Sequence, residues 1–92
     1  MKRVFLLSGR KCSACRVVER MLKEIRSEIG LPLKNIDVAA MDYELAFKML
    51  AQSIYIGQTP TMILETDGKY KILFVGIPDI DDLRDMLRGE PA

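Results

Sequence analysis

Four consecutive apolar residues near the start of the sequence, Val-Phe-Leu-Leu at residues 4–7, place the strongest constraint on the fold. A run without intervening polar residues is typical of a strand that is buried on both faces. The chain has 92 residues, which is the size of one domain. We therefore expect a single domain over residues 1–92, with helices covering both faces of one sheet.

A helix and a second strand are predicted to follow this run. Apolar residues recur at helical spacing, and Gly30 and Pro32 are typical of a helix end. The apolar positions predicted for this helix are Val17, Val18, Met21, Leu22, Ile25 and Ile29. Alternation at residues 36–40 predicts the second strand. The strand–helix–strand order predicts parallel strands joined by a right-handed crossover.

A second helix and a hairpin are predicted next. Asp42 is a suitable N-cap for this helix. Its predicted apolar face is formed by Leu45, Ala46, Met49 and Leu50. Two β-rich segments, residues 61–65 and 70–75, flank Asp67-Gly68, which is a strong hairpin turn signal.

The last helix is predicted to open at Pro78-Asp79 and to end at Gly89 and Pro91. Its predicted inward residues are Ile80, Leu83 and Leu87. The whole order is β-α-β-α-β-β-α. It predicts an α/β fold with a four-stranded mixed sheet and helices on both faces.

Cys12 and Cys15 form a Cys-x-x-Cys motif between the first strand and the first helix. A disulfide between them closes too short a loop to stabilise the fold much, so we expect a chemical role. Unpaired N–H groups at the helix N-terminus favour a thiolate, and Arg10, Lys11 and Arg16 add positive charge. We expect the pKa of Cys12 to lie below the free value of ~8.5. Cys12 can then attack a disulfide, and Cys15 can resolve the mixed disulfide.

Other functions of the cysteine pair remain open. A structural zinc site needs about four ligands, and the chain has no His and no third Cys, so a dimer or carboxylates would have to complete it. Two inert buried cysteines are disfavoured by their position at a strand–helix junction. The main alternative is an iron–sulfur carrier in which Cys12 and external thiols hold a cluster across a dimer. A redox-inactive interaction module is a third hypothesis.

Pro60 follows Thr59 at the start of the third predicted strand. A proline there can be a plain strand start, where the missing N–H is harmless. If the Thr59-Pro60 bond is cis, the Thr59 backbone faces the cysteines and can pair with an extended substrate chain. The third strand is expected to run antiparallel to the first, which brings this end close to the cysteines. We predict a cis bond.

These features together resemble the thioredoxin/glutaredoxin family. The sequence C-S-A-C at residues 12–15, T-P-T at residues 59–61 and Gly76 before the last helix stand in the family's order, and the similarity covers residues 3–88. The resemblance implies the thioredoxin fold with sheet order 2-1-3-4. It also implies dithiol oxidoreductase activity, in which the protein carries electrons to disulfides in other proteins.

The resemblance also implies roles for individual residues. Cys12 is the attacking thiol, Cys15 the resolving thiol and Pro60 the cis-proline beside them. Gly76 is the glycine that lets the last helix and the substrate approach closely. The residues expected to bind substrate are Thr59, Pro60, Gly76, Arg10 and Lys11.

Departures from each branch of the family bear on the electron donor. Thioredoxins usually have Trp, Pro and a buried acid where this chain has Lys11, Ala14 and Leu6. Glutaredoxins bind glutathione partly through a Gly-Gly-x-Asp-Asp stretch, which is broken at residues 76–82, and the Tyr between their cysteines is missing. Two donors follow from the resemblance, a thioredoxin reductase-like protein and glutathione. We expect no resident cofactor.

Charge and composition indicate the class of partner. The net charge is +1 and aromatic residues are 7%, which disfavours a nucleic-acid binder. Positive charge is concentrated at residues 1–26, so a basic rim near Cys12 favours acidic partner surfaces. No apolar run reaches the ~18–20 residues that span a membrane, and the run at residues 4–7 is short for a signal peptide. We expect a cytoplasmic monomer.

Overall fold

The computed structural model describes residues 1–88, which form four strands and three α-helices in the predicted order. The strands are β1 (Lys2–Ser8), β2 (Leu33–Asp37), β3 (Thr61–Thr66) and β4 (Lys69–Val75). The helices are α1 (Ser13–Ile25), α2 (Tyr43–Ala51) and α3 (Ile80–Arg88). The sheet order is β2-β1-β3-β4, with β2 parallel to β1 and the other pairs antiparallel. The predicted α/β class and sheet order 2-1-3-4 are confirmed.

The two faces of β1 belong to two separate cores, which explains its continuous apolar run. Val4 and Leu6 face α1 and α3, whereas Phe5 and Leu7 face α2. The buried residues of the larger core are Val4, Leu6, Val18, Leu22, Ile25, Leu31, Met62, Leu64, Leu83 and Leu87. Those of the smaller core are Phe5, Leu7, Met49 and Ile63.

Helix α1 is shorter than its apolar periodicity predicts. It ends at Ile25, and the chain tightens into a 3-10 turn at Arg26–Glu28 in which the Ile29 N–H donates to the Arg26 carbonyl at 3.2 Å. Such tightening is common at helix ends and takes Ile29 out of the helix. Val17 is 41% exposed, so its predicted inward position is wrong. The buried residues of α1 are Cys15, Val18, Leu22 and Ile25.

Strand β2 begins and ends earlier than residues 36–40. It spans Leu33–Asp37, and Val38–Ala40 forms a 3-10 turn. The Asp37 carboxylate accepts the Ala39 N–H at 2.9 Å, so the backbone turns out of the sheet at this point. The prediction of a strand through Val38 and Ala40 was therefore wrong.

Helix α2 begins directly after Asp42, as predicted, but the Asp42 side chain accepts no capping hydrogen bond. Its carbonyl instead accepts the Ala46 N–H at 3.0 Å. Met49 is buried and Leu45 packs against the smaller core. Leu50 is 55% exposed, because it lies roughly 100° around the helix from Met49, and its predicted place on the buried face is wrong.

The hairpin between β3 and β4 turns at Asp67 and Gly68, as predicted. Their φ angles are +50° and +85°, the left-handed pair that a two-residue type I′ turn requires. Gln52, at the end of α2, donates to the Gly68 carbonyl at 2.6 Å and accepts the Tyr70 N–H at 2.8 Å. These bonds fasten α2 to the hairpin.

Helix α3 is capped by Asp79, whose carboxylate accepts the Asp81 N–H at 2.9 Å. Leu83 and Leu87 are fully buried in the larger core, and Ile80 packs against it. These inward positions are confirmed. The predicted helix end at Gly89 and Pro91 lies outside the described residues.

Candidate active site

Cys12 and Cys15 form a disulfide at the N-terminus of α1. Cys12 is the N-cap residue, and its sulfur accepts the Cys15 backbone N–H at 3.0 Å. Cys15 lies in the first turn of α1 and is fully buried, whereas Cys12 is partly exposed. A substrate can therefore approach the pair from the Cys12 side. The arrangement can store two electrons as a dithiol and release them as the disulfide forms.

Thr59 and Pro60 lie beside the cysteines. The Thr59-Pro60 peptide bond is cis, as predicted, and Pro60 is buried. The surroundings of Gly9 show how close Thr59 lies to Cys12. A Cβ atom built on Gly9 would lie 3.2 Å from Thr59 Oγ1 and 3.8 Å from Cys12 Cβ. Two segments distant in sequence, residues 9–15 and 59–60, thus lie close together, because β3 starts where β1 ends.

Gly76 is hydrogen bonded to this group. Its N–H donates to the Pro60 carbonyl at 2.8 Å, and its φ of +86° lies in the left-handed region that favours glycine. Apart from its two neighbours in the chain, a Cβ atom on Gly76 would meet no atom of residues 1–88 within 4 Å. The backbone conformation, not the close approach of α3, therefore requires glycine here. The approach of a substrate to Gly76 stays a prediction.

Solved thioredoxins share this architecture. A mutant thioredoxin from Halobacterium salinarum has a TM-score of 0.73 at 22% identity, over 96% of this chain and 73% of that one. Mitochondrial thioredoxin 3 from Saccharomyces cerevisiae gives 0.72 at 19% identity, over 97% and 78% of the two chains. Thioredoxin O2 from Arabidopsis thaliana gives 0.69 at 18% identity, over 97% and 74%. The chain has the thioredoxin fold.

This likeness rests on three-dimensional structure. No protein-family model matches the sequence, and no curated protein sequence matches it either. The identities to the solved thioredoxins are all at or below 22%, so the comparisons establish the fold, while the roles of Cys12, Cys15 and Pro60 stay predictions.

The two basic residues predicted to bind substrate occupy different surroundings in this thioredoxin fold. Arg10 pairs with Asp37 at the end of β2, with Nε and Oδ2 3.1 Å apart. The Ala39 N–H and the Arg10 guanidinium hold the pKa of the Asp37 carboxyl below its usual range. Lys11 is exposed and directly precedes Cys12. Arg10 therefore carries a carboxylate partner, which reduces its contribution to a basic rim.

Arg16 has a role that the sequence analysis missed. Its Nη2 donates to the Gly9 carbonyl at 3.0 Å, and its backbone N–H lies 3.4 Å from the Cys12 carbonyl oxygen. One residue of α1 thus contacts both ends of the loop that leads into the motif. Its Nη1 also donates to Glu19 at 2.6 Å, and Asn35 donates to the same oxygen at 2.6 Å. Only the spacing of Arg16 and Glu19, three residues apart, signalled this network.

Glu19 keeps its charge in this network. Burial opposes the charged form, but hydrogen bonds from Arg16 and Asn35 outweigh it and hold the Glu19 pKa below its usual range. Asn35 is in turn bonded by the Ser8 hydroxyl at 2.7 Å. The loop before Cys12 is therefore linked through α1 to the end of β1 and the middle of β2.

A groove of about 770 Å³ opens on the α2 side of the cysteines and was also missed. We call it the α2 groove. It is lined by Val38, Ala39, Met41, Tyr43, Ala46, Met49, Leu50, Ile54, Tyr55, Ile56, Gly57, Gln58 and Thr59. The signal for it was an apolar Ile-Tyr-Ile segment at residues 54–56 that belongs to no helix or strand.

Within the described part of the chain, no group of three or more His, Cys, Asp or Glu side chains is placed to hold a metal ion. The iron–sulfur hypothesis requires thiols from outside the chain and stays a prediction. No helix among residues 1–88 is long and apolar enough to cross a membrane.

Proposed function

We propose that the protein is a thiol-disulfide oxidoreductase that reduces disulfides in other proteins. The observation that carries this proposal is the disulfide at the start of α1, in which Cys12 is partly exposed and Cys15 is fully buried. A pair that only stabilised the fold would gain little from so short a loop. The thioredoxin fold and the neighbouring Thr59 and Pro60 support the same function.

The reaction starts from the reduced protein. The Cys15 N–H and the N-terminus of α1 stabilise a thiolate at Cys12. This thiolate attacks one sulfur of the client disulfide, forms a mixed disulfide and releases the other client sulfur as a thiolate. Cys15 then attacks the Cys12 sulfur, forms the intramolecular disulfide and releases the second client thiol. Two electrons pass from the protein dithiol to the client disulfide, and protons from the two cysteines balance the two client thiols.

A return of two electrons completes the cycle. The donor class is a dithiol reductase that uses NADPH, like thioredoxin reductase, or glutathione. NADPH oxidation with thioredoxin reductase, compared with NADPH oxidation by glutathione and its reductase, identifies the donor. We propose a cytoplasmic location, because a reducing compartment maintains the dithiol form. We also propose that the protein acts as a monomer.

Substitution of each cysteine tests the proposal. Cys12→Ser lowers client disulfide reduction to the rate of the chemical reductant alone, because the attacking sulfur is gone. Cys15→Ser still attacks but cannot resolve, so it accumulates a covalent adduct with one client fragment. Mass spectrometry of both variants after incubation with a disulfide-bonded peptide measures the adducts.

Ser13→Ala is the matched control, because Ser13 lies between the cysteines and has no sulfur. It keeps reduction and traps no adduct. Adduct formation by Cys12→Ser instead of Cys15→Ser would reverse the two roles. Full reduction activity in Cys12→Ser would refute the proposed function.

A further inference from the structure

We propose that the free edge of β2 binds an extended segment of a partner protein in which an apolar residue stands between acidic residues. The segment adds a fifth strand to the sheet, and its apolar side chain enters a pocket between β2 and α1. We call this the β2 pocket, and it is lined by Leu6, Glu19, Leu22, Lys23, Arg26, Leu33 and Asn35. The inference goes beyond the proposed function, because the site uses neither cysteine.

Strand β2 has one free edge. It pairs with β1 only, because it lies at the end of the sheet order β2-β1-β3-β4. In an edge strand, the N–H and C=O groups of every second residue face away from the neighbouring strand. The Val4 N–H donates to the Pro32 carbonyl at 2.9 Å, and the parallel register pairs Val4 with Leu33. In this pattern Leu33 and Asn35 direct their backbone groups outward, where an added strand can bind them.

The β2 pocket lies on the α1 side of the same two residues. Leu33 packs against the larger core, and the Asn35 side chain donates to Glu19 of α1 at 2.6 Å, so both side chains point to this face of the sheet. The pocket has a volume of about 410 Å³, which lies within the ~300–1,000 Å³ typical of ligand sites. Its apolar lining is formed by Leu6, Leu22 and Leu33. Every second side chain of an added strand points to this face, so an apolar one can enter.

The rim of the β2 pocket is positively charged. Lys23 and Arg26 are exposed lining residues, and Lys34 is exposed on the edge strand itself. Among residues 1–88, none of these three cations forms an ion pair. Glu19 also lines the pocket, but its carboxylate is already bonded by Arg16. Acidic residues two positions before and after the apolar residue lie on the same face of the added strand, ~7 Å away, and can reach the free cations.

The charge favours a partner segment over a second copy of this chain. Two copies paired edge to edge through β2 would bring Lys34 and the cations of both pockets together, and like charges on paired strands repel each other. An acidic segment meets opposite charge at the same positions. The pocket lies along the second half of α1, whereas Cys12 caps the start of the helix. A docked partner therefore leaves the reactive sulfur uncovered.

A synthetic peptide without cysteine tests the inference. Its sequence is Thr-Glu-Val-Leu-Val-Glu-Thr, in which leucine and both glutamates share one face of a strand. Fluorescein at its N-terminus reports binding to the oxidised full-length protein by anisotropy. Two further peptides carry phenylalanine or valine in place of leucine. Because the assay needs no thiol, a failure of binding and a failure of the proposed function are separate results.

Charge reversal on α1 is the first comparison. We expect Lys23→Glu combined with Arg26→Glu to weaken binding of the leucine peptide about tenfold, because attractive contacts become repulsive. Arg20→Glu is the matched control, since Arg20 is also exposed on α1 but does not line the pocket. For this control we expect a change below about twofold, because salt screens charges that are not in contact. Equal weakening by Arg20→Glu would indicate a general attraction between an acidic peptide and a basic surface, and would overturn the site.

Methylation of the peptide backbone separates strand addition from binding by side chains alone. One version is methylated on the nitrogens of both valines, and the other on those of leucine and the second glutamate. Only alternate N–H groups of an added strand face β2, so we expect one version to bind about tenfold more weakly and the other to bind like the unmodified peptide. Equal effects of the two versions would overturn strand addition.

Two further outcomes decide between occupants. If none of the three unmodified peptides binds, the inference is wrong, whatever the activity at Cys12. If sedimentation shows a dimer of the chain that the leucine peptide dissociates, the edge binds a second copy and the assignment to a partner protein is overturned. A monomer that binds the leucine peptide with the alternating methylation pattern supports the inference.

Discussion

The side of the sheet under α1 and α3 is closed, whereas the side under α2 is only partly covered. The larger core under α1 and α3 has ten buried residues. Arg84 and Arg88 also bind Glu28, so α3 is tied to the turn that follows α1. On the α2 side, four residues form the buried core, and Tyr43 and Phe47 on α2 are 91% and 74% exposed.

The two sides of the sheet therefore differ in what they contribute: one side stabilises the fold, and the other offers surface for binding. The closed side removes its apolar residues from water, and such burial is the dominant favourable contribution to folding. The open side leaves large apolar side chains of α2 exposed, and exposed apolar patches mark sites of interaction. Cys15 is buried on α1, while Cys12 lies close to Thr59, a lining residue of the α2 groove. The reactive pair therefore lies where the closed and open parts meet.

Two leucines test the difference with the largest expected effect. Leu83→Ala on α3 leaves a cavity in the larger core, so we expect a loss of about 2–5 kcal/mol in the free energy of unfolding. Leu50→Ala on α2 removes a side chain that is 55% exposed, and we expect a loss below about 1 kcal/mol. Urea unfolding of the oxidised protein measures both. Equal losses would mean that the α2 side is closed in solution and would break the comparison.

Features with a signal in the local sequence were the easier ones to predict. The apolar run of β1 and the positions of Leu83 and Leu87 follow from local periodicity. The cysteine pair and the hairpin turn each have a short local signal. These predictions depend on neighbours within a few residues, which the sequence shows directly.

The remaining features depend on side-chain hydrogen bonds or on contacts between distant segments. Asp37 turns the chain out of β2 through a side-chain bond to the Ala39 N–H, a bond that residue alternation does not reveal. Arg16 has the spacing of a solvent-facing residue, yet it reaches the Gly9 carbonyl. The α2 groove combines residues near Val38 and Thr59, and only the fold brings these together. The periodicity of hydrophobic residues does not indicate which side chains form these hydrogen bonds or which segments come into contact.

Glu65 tests a polar contribution on the α2 side, with an intermediate effect. Arg3 donates two hydrogen bonds of 3.0 Å to its carboxylate, and these hold the Glu65 pKa below the usual 4.5 although burial acts in the opposite direction. Because the folded-state pKa is lowered, the stabilisation is present above about pH 4.5 and is lost as the pH falls through the folded-state pKa. We expect Glu65→Gln to cost about 1–2 kcal/mol near pH 6, since Arg3 is half exposed.

The pH dependence of this difference is the decisive measurement. The stability gap between wild type and Glu65→Gln should shrink as urea unfolding is repeated at pH values below 4.5. Arg3→Gln is the control, because without its partner Glu65 loses the main cause of the lowered pKa. If the difference in free energy of unfolding between wild type and Glu65→Gln stayed constant with pH, the packing of Glu65 and not its charge would be stabilising.

The smallest expected effect concerns the caps of α3 and α2. Asp79 accepts the Asp81 N–H at 2.9 Å, whereas the Asp42 side chain accepts no capping bond. Both Asp79→Ala and Asp42→Ala remove a carboxylate from a helix N-terminus, so the favourable interaction with the helix dipole is lost in both. The difference between the two losses in free energy of unfolding therefore measures the contribution of the capping hydrogen bond. We expect Asp79→Ala to lose about 1 kcal/mol more than Asp42→Ala in urea unfolding. Equal costs would mean that Asp42 caps α2 in solution as Asp79 caps α3. The start of the helix that borders the groove would then be as firmly held as the start of its counterpart on the closed side.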